Sequence, residues 1–211
     1  WSILPGPSPE DNIMFARLIF LVLLASPAPV LAEQISCEGA FGIDSSEARL
    51  IEIYGAENVW TGTVLGPEAM EMLATEVFRN NPKKKMQFVW WDEARRKDPS
   101  YIELSSKMVA PGGVRAGLSV AEVEALNGEP FRLSGFGWDY GGRAWFESGA
   151  LAELPGDCML SLTFSPTSYP SGQDYDSITG DIEVRSDNAL LVTVGARLDW
   201  VAVGYPHPDF R

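Results

Sequence analysis

Two stretches of this chain open in the same way, and a repeated opening restricts what the chain can fold into. Residues 42–55 read GIDSSEARLIEIYG and residues 117–128 read GLSVAEVEALNG. Each begins with a glycine and an aliphatic residue. Each then places a capping residue three positions before a glutamate, Asp44 with Glu47 and Ser119 with Glu122. That spacing satisfies the free N–H groups at a helix start from both sides. Apolar residues follow at helical intervals: Leu50, Ile51 and Tyr54, then Val120, Val123 and Leu126. Gly55 and Gly128 stand where a left-handed C-cap would end each helix.

Strand-like stretches come after each helix. ATEVF (74–78) and MQFVWWD (86–92) flank the turn-rich NNPKKK, and YIEL (101–104) adds another. In the second half, FRLSGFGWDY (131–140) and RAWFE (143–147) flank Gly141 and Gly142. CMLSLTF (158–164) and ALLVTVGARLDWVAVGY (189–205) supply further strands. The halves also share a Trp-Asp pair, Trp91-Asp92 and Trp138-Asp139. The pattern predicts an α+β fold of two tandem units, 33–110 and 111–211, each a short helix packed on antiparallel sheet.

The second opening resembles a known family pattern. Gly117, Leu118, Ser119, Glu122, Val123, Leu126, Gly128 and Pro130 are similar to the helical opening of the β-lactamase-inhibitor-protein-like repeat. The SmpA/BamE small outer-membrane lipoproteins open in the same way. The resemblance spans residues 117–130, with a weaker echo at 42–55. It implies a short helical segment on a small antiparallel sheet, in envelope or secreted proteins that act by binding other proteins. No contact residue of those families maps onto this chain.

Residues 14–32, MFARLIFLVLLASPAPVLA, have the layout of a secretory signal peptide. Arg17 precedes an apolar run that is too short to span a bilayer, which takes about 20 residues. Cleavage is expected after Ala32, and residues 1–13 read as a non-structural leader. A lipoprotein would carry a cysteine directly after a small-residue box, whereas Cys37 follows EQIS. The mature protein is therefore expected in the periplasm or outside the cell, without a stable membrane anchor. Cleavage removes Glu10, Asp11 and Arg17, which changes the net charge from −13 to −12. So acidic a chain is a poor partner for nucleic acid or anionic lipid. The basic cluster Lys83-Lys84-Lys85 reads as a solvated hairpin tip. In an oxidising compartment Cys37 and Cys158, 121 residues apart, are expected to form a disulfide.

The stretch GFGWDYGG (135–142) carries the candidate binding residues. A strand ending in a two-residue Gly-Gly turn would pair Tyr140 with Arg143, Trp138 with Trp145 and Phe136 with Glu147. Phe136, Trp138, Tyr140, Arg143 and Trp145 would then share one face, with Asp139 beside them. That face is either the core or an open platform for a protein, a sugar or a peptide. The chain shows no GxSxG, HExxH, Walker or dinucleotide pattern. Its single histidine, His207, stands near the C-terminus. No catalytic set, metal site or cofactor is therefore expected. The acidic stretch GQDYDSITGDIE (172–183) departs from a calcium loop, because Ile178 stands where an oxygen ligand belongs. The sequence predicts a non-enzymatic exported protein that binds another envelope or secreted protein. A carbohydrate- or peptide-binding protein, or a carboxylate-based hydrolase, is the alternative.

Overall fold

The computed structural model describes residues 1–2, 34–170 and 173–211. The signal-peptide reading (14–32) lies outside the described residues, as do residues 3–13 of the leader. The described residues from 34 to 211 form one compact α+β unit.

A nine-stranded antiparallel sheet organises it. The first half contributes β1 (Val59–Leu65), β2 (Glu71–Val77), β3 (Met86–Asp92) and β4 (Lys97–Leu104). The second contributes β5 (Arg132–Ser134), β6 (Arg143–Trp145), β7 (Met159–Ser165), β8 (Glu183–Arg185) and β9 (Arg197–Gly204). The order across the sheet is β1-β2-β3-β4-β9-β7-β6-β5-β8. The first half thus runs as a meander; in the second, β5, β6 and β7 form a meander that β8 flanks on the β5 side and β9 on the β7 side, and the halves abut where β4 meets β9. Helix α1 (Glu47–Tyr54) precedes the first meander and α2 (Val120–Asn127) the second. Two shorter helices, α3 (Gln173–Asp176) and α4 (Ala189–Thr193), flank β8.

The register assigns the faces, because paired residues project to the same side. One face carries Thr75, Phe88, Ile102, Val203 and Leu160 in a row across the strands. Leu133, Ala144 and Leu162 continue it. All eight are buried, and the seven apolar ones share one core with Leu50 of α1 and Val120 and Val123 of α2, so the helices cover this face. A chain of polar contacts crosses the same side. Trp90 Nε1 donates to Thr75 (3.0 Å), Thr75 meets Thr61 (2.7 Å), and Thr61 donates to Glu47 (2.5 Å). Arg96 completes the chain on the Glu47 carboxylate.

Three local expectations change. Helix α1 is capped by Ser46, whose hydroxyl accepts from the Arg49 N–H, and not by Asp44. Ser45 turns inward onto the Ala40 carbonyl, and Ser46 is held extended against Lys97. The helix therefore starts two residues late, and Asp44 pairs with Arg49 instead. Ile51 and Leu126 are exposed, while Asn127 is buried. The Asn127 amide binds the Glu129 and Ser148 carbonyls and the Leu151 N–H, tying α2 to the loop before β7. Residues 189–193 form α4 and not a strand, because Asn188 caps them. At α2 the expected cap is present: Ser119 and Glu122 bond reciprocally, and Gly128 adopts the left-handed conformation.

Cys37 is bonded to Cys158. The loop this closes contributes about 4–5 kcal/mol in the chain-entropy picture, less any native strain. Reduction, or the Cys37→Ser/Cys158→Ser pair, should lower stability by an amount of that order, measured by urea unfolding. A second prediction concerns α2. The Ser119 N–H and hydroxyl, with Arg197 behind them, hold the exposed Glu122 carboxyl below the usual range. The stabilisation this gives is complete above the ordinary glutamate pKa of about 4.3 and is lost as pH falls through the depressed value. Glu122→Gln should remove that part of the acid dependence, and carbon NMR titration of Glu122 should show the low midpoint.

Candidate functional site: the sheet face left bare by the helices

GFGWDYGG does not form the expected hairpin. β5 stops at Ser134, and the backbone of 135–136 then turns to another segment. Gly135 N–H donates to Ile182 and Phe136 N–H to Ile178, while Gly180 N–H returns to Phe136. Arg132 lies opposite Trp145, and Leu133 opposite Ala144, so the predicted pairs of Tyr140, Trp138 and Phe136 do not occur. Residues 135–142 are a loop. Gly142 closes it at φ +74°, where an added Cβ would sit 1.9 Å from the Phe164 carbonyl oxygen. No residue with a side chain fits there.

The loop splits the three aromatics that alternation had grouped. Phe136 enters the core at 2% exposure. Trp138 and Tyr140 remain 37% and 49% exposed and meet edge to face at 5.4 Å. Trp138 Nε1 donates to the Gly135 carbonyl (2.8 Å). Tyr140 reaches across to the hairpin tip between β1 and β2, where its hydroxyl donates to Glu68 (2.9 Å). That bond, followed by the charge of Glu68, raises the Tyr140 phenol above its ordinary pKa.

Tyr140 thereby closes one side of a cavity of about 710 Å³ on the bare face of the sheet. Its floor is the seam between the meanders. Tyr101 of β4 pairs with Gly204 of β9, and Gly204 with Met159 of β7. Trp200 of β9 pairs with Thr163, which pairs with Arg143. Six aromatic residues line this cavity: Trp91, Tyr101, Tyr140, Trp145, Trp200 and Tyr205, the last with its ring in the core. Tyr101 and Trp200 meet edge to face at 6.0 Å. Trp91 is fixed by its Nε1 bond to the Tyr205 carbonyl (3.0 Å) and by the His207 ring 5.0 Å away. Burial, then the charge of Glu103, raises the Tyr101 phenol. The lining also holds Glu68, Asp139 and Arg143.

Of the expected binding residues, Tyr140, Arg143, Trp145 and Asp139 come together in this cavity. Trp138 flanks it through Tyr140, and Phe136 belongs to the core. Tyr101, Trp200, Trp91 and Glu68 were not foreseen. Alternation in β4 and β9 carries the signal for the first two, since Ile102 and Val201 beside them are buried. Nothing local marks Glu68. At the β2–β3 tip Lys83 and Lys84 are exposed, while Lys85 pairs with Glu76 (2.5 Å) on the bare face.

Comparisons of the chain with protein-family models, curated proteins and solved structures give no match.

The split between Phe136 and Trp138 is measurable. Phe136→Ala should cost about 3–5 kcal/mol, as emptying a core aromatic site does. Trp138→Ala should cost less than about 1.5 kcal/mol, the range of one hydrogen bond at a partly exposed site. Chemical denaturation of both variants checks the difference.

Proposed function

We propose that this is an exported, non-enzymatic binding protein that docks another envelope or secreted protein on the bare face of its sheet. The observation that carries the reading is the clustering of tryptophan and tyrosine residues, six in the lining, around one cavity on the face that the helices do not cover. Surfaces of this kind, rich in tryptophan and tyrosine and rimmed by charge, supply the residues that dominate protein interfaces. The signal-peptide pattern and the disulfide support an oxidising compartment outside the cytoplasm. The mirrored strand order, 1-2-3-4 against 9-7-6-5 with β8 added at the far edge, supports descent from a duplicated helix-plus-sheet unit.

A sugar is the second reading. Ser100, Ser161 and Thr163 stand among the rings, and hydroxyls beside aromatic platforms suit a glycan.

The experiment is capture from the envelope extract of the source cell, with the parent chain and with Tyr140→Ala and Trp145→Ala. Both side chains project from the bare face, so the variants should melt within a few degrees of the parent, a shift that corresponds to about 1 kcal/mol. Loss of a captured protein in both, with melting retained, is the expected result. Capture that is unchanged in both variants would remove the bare face as the docking surface. Binding of soluble oligosaccharides by the parent, abolished in the same variants, would favour the second reading.

A further inference from the structure

We infer that the aromatic cavity receives an arginine side chain presented by the docked partner; the inference rests on the docking reading above. The first argument is charge. Glu68 and Asp139 both line the cavity, and among the described residues neither takes part in an ion pair. Glu68 accepts only the neutral Tyr140 phenol as a hydrogen-bond donor there. Arg143 is the cation of the lining, one positive charge to two carboxylates. The chain after cleavage carries −12, so its long-range field draws in a positive group.

The second argument is the rings. The faces of tryptophan and tyrosine attract cations, and the attraction grows when water is excluded. Guanidinium groups suit such sites better than ammonium groups, because they are planar and weakly hydrated.

The third argument is a precedent on the same face. Trp60 of β1 pairs with Glu76 of β2, and Arg79 lies over the Trp60 ring with its Cζ 3.8 Å from the centroid. The Arg79 Nε is 3.0 Å from the Glu76 carboxylate, whose side chain is 4% exposed. A guanidinium held between an indole and a carboxylate is therefore already a packing solution of this surface. The cavity offers the same two groups, ring and carboxylate, to a guanidinium from outside the chain.

The test uses the full chain and two small probes, N-acetylarginine methylamide and its citrulline counterpart. Citrulline has nearly the same shape and no charge. Binding is followed by the shifts of the tryptophan indole N–H signals in NMR. The arginine probe should shift the Trp145 and Trp200 signals, and the citrulline probe should bind at least roughly five-fold more weakly. Glu68→Gln combined with Asp139→Asn should weaken the arginine probe by a similar factor at unchanged melting temperature. Arg143→Gln should tighten it. Equal binding of the two probes, no binding of arginine, full retention by the carboxylate variant, or weakening by Arg143→Gln would each overturn the inference. The docking reading is read separately. A partner that is lost with Tyr140→Ala and Trp145→Ala, yet survives saturating arginine probe and the carboxylate variant, leaves docking standing and removes the arginine.

Discussion

The seam between β4 and β9 is the constraint on which the rest of the molecule depends. Only three residue pairs register it: Tyr101 with Gly204, Ile102 with Val203, and Glu103 with Ala202. The Tyr205 N–H extends the contact to the Ser100 carbonyl. These few bonds turn the strands of two halves into one sheet. They also place Ile102 and Val203 in the core and Tyr101 on the cavity floor. Gly204 matters here because a Cβ at that position would press to 3.2 Å from the Ser100 carbonyl oxygen. Around the seam the N-terminal segment acts as a belt. The Tyr205 hydroxyl donates to the Phe41 carbonyl, and Cys37 is bonded to Cys158 just before β7. Burial raises the Tyr205 phenol well above its ordinary pKa, so it stays a donor.

A sheet covered on one side must resolve what its other side does. Here the two faces solve it differently. The covered face packs aliphatic side chains and the rings of Phe88, Trp90 and Phe164 under the helices, with a polar chain from Trp90 to Arg96 that ties β1, β2 and β3 to α1. The bare face uses large rings laid over small residues. The Trp60 ring lies over Gly62, where an added Cβ would meet it at 2.3 Å. Such a surface buries some of its own apolar area and still presents rings to the outside. The strands are thereby protected without a second layer of helices.

The parts of the fold that are local in sequence were legible in it. The Ser119–Glu122 cap needs only four residues, and β3 and β7 are continuous runs of strand-forming side chains. The cysteine pair follows from count and compartment. What failed was non-local. Alternation in 136–140 suggested a strand, yet the carbonyls of Ile178 and Ile182, some forty residues on, compete for the same backbone. At 189–193 the β-branched composition pointed to a strand, and a single Asn188 cap outweighed it. β1 went unread although Val59, Thr61, Thr63 and Val64 favour a strand. The cavity is the extreme case. Its floor joins Tyr101 to Trp200, and its wall joins Tyr140 to Glu68 through a bond spanning 72 residues. No window of sequence holds those pairs together.

The seam also sets a problem of timing. As the chain emerges N-terminus first, β1 to β4 can zip by short hairpin connections. The outer edge of β4 must then wait, its N–H and C=O groups unpaired, until residues 197–204 exist. An uncovered edge of this kind invites pairing with a second chain. The early part of β4 carries residues suited to that interval. Lys97 places a charge on the strand, and Pro99 has no N–H to offer. The short length of the seam now has a reason: Lys97 and Pro99 guard the early part of the edge, and the joint at 101–103, with the Tyr205 bond to Ser100, closes the part beyond them.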